Sequence, residues 1–334
     1  MNQFKQQGFT LIELMIALAL GLVIVAAVIT LFITGQKSYN VQQGVAENQN
    51  NANFGLNLIT QDVRHANLNG ASGSLNDRKL FGGVVLTSVK NAYIDTANGN
   101  AKLSNLPPTI PDTVALETLL TRSNTQTVAT TGNAWSGKTN VTLSNGTAVQ
   151  SDQLVVQYLP LEEMIGRFDC EGNPIANANE YVIQRYFLRL DANAATTEPN
   201  EALSLACDAG RIAADNPTAI TGYGDAGQII MQRVDHFRVL LGVQQENTYR
   251  FIDAATYMAL PSSATVQRPN IISIQIGALS RAVQSAGVDN LIKNDQIFKV
   301  LDQDVKVKAT TTPSKYVRQV VSQTIALRNS GKGG

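Results

Sequence analysis

Few residues of this sequence combine a reactive type with a suggestive spacing, and Glu13 is the most unusual of them. It lies near one end of an apolar run and is the only Asp, Glu, Lys or Arg between Lys5 and Lys37. A carboxylate inside such a run costs about 2.5–3.5 kcal/mol on membrane-insertion scales, so a residue of this kind usually has a function. The alternative is an interfacial residue that reaches the headgroup layer, and the sequence leaves both interpretations open.

Other patterns that could do chemistry are weaker. Residues 222–227 fit Gly-x-Gly-x-x-Gly, but nucleotide binding needs a helix after this pattern, and a strand is favoured there, so a turn is predicted. Asp302 and Asp304 could share a strand face and bind Ca²⁺, but two ligands are too few, and a solvated strand end is expected. His65 and His236 have no paired His or Cys nearby, so no zinc site is predicted. The sequence predicts no enzyme activity, no metal and no cofactor.

The element that positions Glu13 is a long apolar segment. Residues 14–33 are twenty residues without a charge or a proline, enough for a helix of about 30 Å, the hydrocarbon thickness of a bilayer. A buried core helix is disfavoured because the segment is apolar on every face. A cleaved secretory signal is disfavoured because the apolar run from Phe9 spans about 25 residues, longer than the usual 7–15. The segment is therefore predicted to be a retained membrane helix.

The first 35 residues resemble a known leader. Residues 1–13 read MNQFKQQGFTLIE and are followed by LMIALALGLVIVAAVITLFITG. This is similar to the class III leader of type IV pilins and type II secretion pseudopilins. The resemblance implies that a prepilin peptidase cleaves between Gly8 and Phe9, that Phe9 becomes the N-methylated first residue, and that the apolar helix is kept.

The same resemblance implies an assembly role for Glu13. In a filament core the N-terminal amine of one subunit lies in a bundle of low dielectric constant, where an unpaired ammonium is costly. Glu13 of a neighbouring subunit would neutralise that amine, and the adjacent residues Leu11, Ile12 and Leu14 would take part in the same helix packing.

The helix is predicted to continue beyond the membrane. Residues 36–61 contain eleven Asn and Gln, and apolar residues recur at helical spacing up to Val63. A disordered polar linker is the alternative. We predict one helix over residues 9–66, whose stripe of Phe54, Leu58 and Val63 lies on a globular head.

From about residue 68 the sequence is first turn-rich and then β-rich. Short β-branched stretches bounded by Gly, Asn, Ser or Pro predict strands. They are residues 84–89, 113–117, 140–143, 152–159, 181–190, 203–207, 228–243, 272–277, 305–308 and 317–328, of which 228–243 is either one long strand or a bent hairpin. Polar loops are expected at 91–111, 121–138, 191–202 and 208–227. The expected fold class is α+β, with a long N-terminal helix packed on a β-rich antiparallel head.

Several stretches of the head resemble minor pilins of the PilW family. They are SDQLVVQYLP (151–160), EYVIQRYFLRL (180–190), VDHFRVLLGV (234–243), IISIQIGALSRA (271–282) and a final segment that closes with ALRN (326–329). The resemblance implies the type IV pilin fold. It divides the chain into a leader at 1–8, a transmembrane and filament-core helix at 9–35, an amphipathic helix at 36–67 and a periplasmic head at 68–334.

The resemblance also sets the expected compartment and partners. Cys170 and Cys207 are expected to form a disulfide because the periplasm is oxidising, with two buried free thiols as the alternative. The implied function is a minor pilin of the inner membrane and the assembled pilus, which supports pilus biogenesis, twitching motility, adhesion or DNA uptake. The implied partners are other minor pilins, the major pilin, the prepilin peptidase and the inner-membrane assembly platform, with a tip adhesin as a further candidate.

Two alternative functions stay open. A minor pseudopilin of a type II secretion system, most like the J-type subunit, would share the leader. A DNA- or surface-binding tip module could use residues 299–334, which carry seven Lys and Arg against two Asp, although a solvated strand face is the simpler interpretation. The whole chain has 26 basic and 26 acidic residues, so its net charge gives no general reason to bind DNA.

Overall fold

One unbroken helix leads from the N-terminus into a β-rich head. The computed structural model describes residues 8–70, 73–110, 116–124, 136–194, 198–285, 292–293, 295–310 and 315–328. The helix, α1, spans Leu11–His65. The prediction of a single helix over residues 9–66 is therefore confirmed to within two residues at either end.

The described part of the head contains thirteen strands, two short α-helices and two 3-10 helices, Thr96–Asn98 and Glu162–Met164. In chain order the strands and α-helices are β1 (Tyr93–Asp95), β2 (Ala101–Leu103), α2 (Leu116–Leu119), β3 (Val141–Leu143), β4 (Leu154–Tyr158), β5 (Glu180–Leu190), β6 (Leu203–Ala213), β7 (Gln228–Met231), β8 (Val234–Gln245), β9 (Thr248–Ile252), α3 (Ala254–Ala259), β10 (Asn270–Arg281), β11 (Ile297–Val300), β12 (Gln303–Val307) and β13 (Arg318–Ala326). The expected fold class, a long helix on an antiparallel β-rich head, is confirmed.

Two four-stranded sheets form the main body of the head. One has the order β13–β10–β8–β9 and the other the order β4–β5–β6–β7. Two smaller sheets have the orders β11–β12–β3 and β1–β2. Every pair of neighbouring strands in these sheets is antiparallel.

The core lies where the second half of α1 meets the two large sheets. Four residues of α1 are buried in one cluster with apolar residues of β4 to β8, of β10 and of the C-terminal segment around Ile325. They are Ala52, Leu56, Ile59 and Val63. Full burial of a side chain such as Leu56 or Ile59 contributes about 1.5–3 kcal/mol. The helix is thus fixed to the head along about four turns, and this contact sets the direction in which its apolar N-terminal half projects.

The predicted stripe on α1 is wrong at Phe54 and only partly right at Leu58. Phe54 is 67% exposed, Leu58 is half-buried, and Val63 is fully buried. The face of α1 that contacts the head is the one that carries Gly55, not the predicted one that carries Phe54. Because Gly55 has no side chain, the helix backbone can approach the strands closely. A Cβ at Gly55 would lie 2.8 Å from the end of the Met231 side chain.

Several predicted strands differ from the structure. Residues 84–89 contain only an isolated bridge at Val84, because the Asn105 side chain accepts the N–H groups of Leu86 and Thr87 that a neighbouring strand would otherwise pair. Residues 116–117 begin the helix α2 rather than continue a strand, and residues 113–115 lie outside the described part.

The remaining differences concern where strands begin and end. The loop predicted at 208–227 begins only after Ala213, because β6 continues to that residue in register with β5. The long element at 228–243 is two strands, β7 and β8, separated at Arg233, whose φ is 53°. The strands β1, β2, β9 and β11 and the helix α3 were not predicted.

Candidate functional site

The helix that carries Glu13 begins with a capping box. Thr10 is the N-cap, and its Oγ1 accepts the Glu13 N–H at 3.3 Å. In return the Glu13 carboxylate accepts the N–H of Thr10 and the hydroxyl of Thr10, each at 2.9 Å. This arrangement gives hydrogen-bond partners to backbone N–H groups at the start of the helix that would otherwise have none within the helix. The pattern Thr-x-x-Glu at residues 10–13 is a sequence signal for this cap that our sequence analysis did not use.

The predicted processing and assembly residues lie together at the exposed start of α1. Gly8 and Phe9 precede the helix, and Phe9 is 91% exposed. Leu11, Ile12 and Leu14 are also exposed, on different sides of the first turns. Between residues 8 and 36, all of which the structure describes, Glu13 is the only Asp, Glu, Lys or Arg, and its carboxylate lies among exposed apolar residues.

The first part of α1 has the properties of a membrane span. Within the described residues, α1 is the one helix that is long and apolar enough to cross a membrane, and its most apolar window has no buried residue. Residues 11–40 are exposed all round. Apolar surface of this extent needs a cover, since soluble monomers rarely expose apolar patches larger than a few hundred Å².

Polar contacts attach α1 to the head where the two first meet. The Asn51 side chain donates to the Gln232 carbonyl at 2.7 Å and accepts the Gln232 N–H at 3.1 Å. Buried Asn48 donates to the Ser280 carbonyl at 3.3 Å and accepts the Ser280 hydroxyl. An amide can make such two-point contacts with a single residue because it carries both a donor and an acceptor. These contacts fix the rotation and the height of α1 on the head.

A buried carboxylate lies in the same contact nearer the end of α1. Asp62 accepts the Tyr186 hydroxyl at 2.6 Å and is 8% exposed. Burial raises the pKa of Asp62 to about 6, although the Tyr186 hydrogen bond opposes the increase. Nearby Asp169 raises it further. No sequence pattern indicated this pair, because its two members are 124 positions apart.

The structure joins Cys170 to Cys207, as predicted. Cys207 is a fully buried residue of β6, and Cys170 lies in the loop between β4 and β5. Asp169 supports the same loop by accepting the N–H groups of Glu171 and Asn173, each at 2.9 Å. The disulfide therefore holds this loop against the centre of the sheet.

The two histidines have structural partners. Burial lowers the pKa of His236 to about 4 and keeps the ring neutral. Its Nε2 lies 2.9 Å from Gln303 Oε1, and Nδ1 lies 3.0 Å from the Thr139 hydroxyl. Burial also lowers the pKa of His65, whose ring contacts Tyr158. Neither ring lies in a group of metal-binding side chains within the described part of the chain.

Two weak motifs have ordinary structural roles. Residues 222–227 form part of the connection between β6 and β7, and all three glycines have positive φ, as a turn requires. Asp302 is bound to Arg238 at 2.7 Å, and Asp304 is 3.6 Å from Lys299, so the two carboxylates have different partners. Asp302 lies directly before β12 and keeps 45% of its side chain exposed, and Asp304 is an exposed residue of β12, so both belong to a solvated strand end as expected.

One acidic group was missed by sequence reasoning. Glu171, Asp208 and Asp225 bring carboxylate oxygens within 4.8 Å of one another. Asp208 is fully buried and already pairs with Arg185 at 2.8 Å. This neighbouring guanidinium supplies the positive charge that a cation would otherwise provide.

The predicted basic segment at 299–334 is partly neutralised. Arg318 binds Asp235 at 2.7 Å, Lys299 lies near Asp304, and the Lys308 ammonium donates to the Thr139 carbonyl at 2.6 Å. Residues 329–334, including Lys332, lie outside the described residues.

Comparison with known proteins gives family matches for two regions of the chain, the leader with the start of α1 and the second half of the head. Residues 3–29 match the family model of the prokaryotic N-terminal methylation motif. Residues 186–329 match the family model of Type IV Pilus-assembly protein W. Among solved structures, the type IV-like pilin TTHA1219 from Thermus thermophilus is similar over 59% of this chain and 86% of that chain, with 14% identity and a TM-score of 0.29. No curated protein matches the chain.

The two family matches agree with the architecture. One covers the leader and the first turns of α1, and the other covers the second half of the antiparallel head. The helix α1 joins the two parts without a break. With a methylation motif at its start and a match to Type IV Pilus-assembly protein W in its head, the chain is a PilW-like type IV pilin.

Proposed function

We propose that this chain is a structural subunit of the complex that primes a type IV pilus and stays at the pilus tip. The observation that carries the proposal is α1. Its residues 11–40 are exposed on every side, whereas from Gly44 onward one face is buried on the head. A membrane would cover the apolar half before assembly, and the helices of other pilins would cover it afterwards.

Maturation would precede assembly. The prepilin peptidase would cleave between Gly8 and Phe9, and Phe9 would be N-methylated. This bond lies ahead of the N-cap residue Thr10, so cleavage removes no residue from α1 and leaves the capping box intact.

Glu13 would then guide the new N-terminus into place. An ammonium and a carboxylate 4 Å apart attract each other by about 4 kcal/mol at an effective dielectric constant of 20. In the single subunit, Thr10 binds the Glu13 carboxylate and reduces the penalty for holding it in lipid. In the filament the amine of a neighbouring Phe9 would pair with the same carboxylate, and Leu11, Ile12 and Leu14 would pack against neighbouring helices.

The parts of the chain would occupy different compartments. The leader (1–8) would face the cytoplasm, residues 9–35 would span the inner membrane, and residues 36–67 would connect to a periplasmic head (68–334). Other minor pilins and the major pilin would contact α1, and the inner-membrane assembly platform would extract it. A tip adhesin and DNA are candidate ligands of the head, although the pairing of Arg318 and Lys299 with carboxylates weakens the case for DNA.

Gene deletion with complementation tests the proposal. Deletion should remove surface pili and twitching motility and leave the secretion of folded exoproteins unchanged. The wild-type chain should restore the pili, whereas Glu13→Gln, which keeps the shape without the charge, should not, even though it accumulates and is processed. Unchanged pili in the deletion strain would contradict the proposal. Lost secretion with normal pili would instead support the J-type pseudopilin.

A further inference from the structure

A cleft lined by cationic side chains lies beside the point where α1 leaves the head. Its volume is about 420 Å³, and Lys306, Lys308 and Arg318 contribute to its wall. Asp295 is the one carboxylate in the described part of that wall. We call this cavity the basic cleft. Its volume is within the range of cavities that hold small ligands.

The positive charge of the basic cleft is only partly neutralised. Arg318 is buried and pairs with Asp235 at 2.7 Å. The Lys308 ammonium donates to a backbone carbonyl at 2.6 Å, a neutral acceptor that leaves the charge uncompensated. Within the part of the chain that the structure describes, the Lys306 side chain has no partner. Two lysines therefore face one carboxylate, Asp295, which is exposed and pairs with neither of them.

A buried amide adds a hydrogen-bond donor to the same cleft. Asn200 is 9% exposed, and its Oδ1 accepts a hydrogen bond from Arg318 Nη2 at 3.2 Å. This contact fixes the amide and leaves its Nδ2 group without a hydrogen-bond partner among the described residues. A donor held in this way favours a ligand that brings an acceptor, because an unmade hydrogen bond of a buried group is costly. Ammonium groups and a fixed amide N–H together suit the oxygens of an anion.

The position of the basic cleft indicates where such an anion would come from. The first buried residue of α1 is Gly44, where an added Cβ would lie 3.4 Å from Ala282 and 3.9 Å from Val317. Val317 directly precedes Arg318 of the cleft. The basic cleft therefore lies at the end of the head from which the apolar half of α1 projects.

Tyr39 indicates how far this end of the head would lie from a membrane surface. Tyr39 is 65% exposed and follows the apolar run, and tyrosines next to a membrane helix are enriched at the level of the lipid headgroups. Gly44 is five residues farther along α1, which corresponds to about 7.5 Å along the helix axis. This separation is comparable to the Debye length of about 8 Å at physiological ionic strength, so the charges of the cleft and of the headgroups would interact.

We propose that the basic cleft binds the phosphate of an anionic phospholipid headgroup while the subunit is anchored in the membrane. Lys306 and Lys308 would supply the uncompensated charge, and Asn200 Nδ2 would donate a hydrogen bond to a phosphate oxygen. This contact would be a second attachment beside α1 and would fix the orientation of the head over the bilayer before the subunit joins a pilus. The inference rests on the proposed function in one respect, namely membrane anchoring by residues 9–35.

Fluorescence quenching of the full-length chain in lipid nanodiscs tests the proposal. Cys170 and Cys207 are bonded to each other, so Ala309→Cys places a single free thiol at the cleft. Brominated lipids should quench a fluorophore on this thiol several-fold more in nanodiscs rich in phosphatidylglycerol than in nanodiscs of phosphatidylcholine. At about 1 M salt, where the Debye length is about 3 Å, the difference should disappear. Asn247→Cys, in the turn at the far end of β8, is the matched control and should show no dependence on the lipid.

Charge variants of the Ala309→Cys chain supply a second readout. Combining Lys306→Gln with Lys308→Gln should abolish the extra quenching in phosphatidylglycerol. Lys102→Gln, which changes an exposed lysine of β2 outside the cleft, should leave the extra quenching unchanged. Equal quenching in the two lipids, or extra quenching that survives the double substitution, would overturn the inference.

Two further arms separate the lipid from other sources of phosphate and from the proposed function. If inorganic phosphate or duplex DNA abolishes the extra quenching at constant ionic strength, the cleft binds a soluble anion, and the assignment to lipid is overturned. A chain that does not insert into nanodiscs would overturn both the inference and the proposed anchoring. Pilus formation is scored separately, so lipid-dependent quenching together with intact pili in the deletion strain would contradict the proposed function and leave the lipid contact standing.

Discussion

The buried carboxylate of Asp62 allows a quantitative test of the contact between α1 and the head. Its pKa is raised from 3.8 to about 6, mainly by burial. The difference corresponds to about 3 kcal/mol, because one pH unit is about 1.36 kcal/mol. A carboxyl whose pKa is higher in the folded protein favours folding when protonated. Protonation of Asp62 therefore stabilises the folded protein fully below pH 3.8, progressively less between pH 3.8 and about 6, and not at all above that pH.

Replacing Asp62 by Asn should remove this dependence. The amide oxygen can still accept the Tyr186 hydroxyl, and no charge needs to be buried. At pH 7.5 we expect Asp62→Asn to raise the free energy of unfolding by up to about 3 kcal/mol, and at pH 4 the gain should nearly vanish. Chemical denaturation of the full-length chain in detergent, followed by circular dichroism at several pH values, measures this.

Glu47→Gln is the matched control for this experiment. Glu47 lies on the same helix but is exposed, so its replacement should leave the free energy of unfolding unchanged at every pH. If Asp62→Asn and wild type have the same stability at pH 7.5, or differ by the same amount at every pH, the carboxyl is not held in the buried environment described above.

Three further predictions concern processing, the disulfide and the packing of α1. Gly8→Phe should block cleavage, so that mass spectrometry finds the leader still attached; a normally processed variant would refute the assigned site. Cys170→Ser should lower the free energy of unfolding by roughly 3–4 kcal/mol, and an equally stable variant would contradict the stabilising role of the bridge. Gly55→Ala should destabilise the head by about 1–3 kcal/mol because its Cβ would lie 2.8 Å from Met231. Gly35→Ala, with no atom within 4 Å, should instead stabilise the helix, by about 1 kcal/mol; equal effects at the two glycines would show that close approach does not set the face.

The sequence was sufficient to predict α1 because local signals agree along its whole length. Residues 14–33 are long and apolar, and no proline interrupts the helix before the head begins. The buried face was not predictable in the same way. Apolar residues such as Phe54 suggested one face, but the close approach allowed at Gly55 and the amide contacts of Asn48 and Asn51 select another. Such a choice depends on the shape of the head, which no local pattern contains.

Strand prediction in the head succeeded or failed for a similar reason. The hairpin of β5 and β6 was partly found because Tyr181–Leu190 is rich in β-branched and aromatic residues. The end of β6 was missed because Asp208, Ala209 and Gly210 are poor strand formers, yet pairing with β5 and the Arg185–Asp208 ion pair hold them in the sheet. Tertiary pairing outweighs a local preference of this size.

A network of buried ion pairs surrounds the place where α1 first meets the head, and this has a mechanical consequence. Arg233 pairs with Asp191 and Glu198, and Arg281 pairs with Glu198 and Asp235. The segments that contact α1 at Gln232 and Ser280 are the direct neighbours of these two arginines. Removing one partner of a buried pair typically costs about 3–5 kcal/mol, because a charge is left uncompensated.

A load on the pilus would reach the head of this subunit through α1. After the contact at Gly44 it would pass through Asn48 and Asn51 to segments held by these arginines. The polar contacts alone are weak, at about 0.5–1.5 kcal/mol each. Gln232 and Ser280, which make these contacts, directly precede Arg233 and Arg281, so the buried ion pairs of the two arginines would hold these segments in place while α1 is loaded. The same arrangement would keep α1 at a fixed rotation, so that one defined face of the helix points outward.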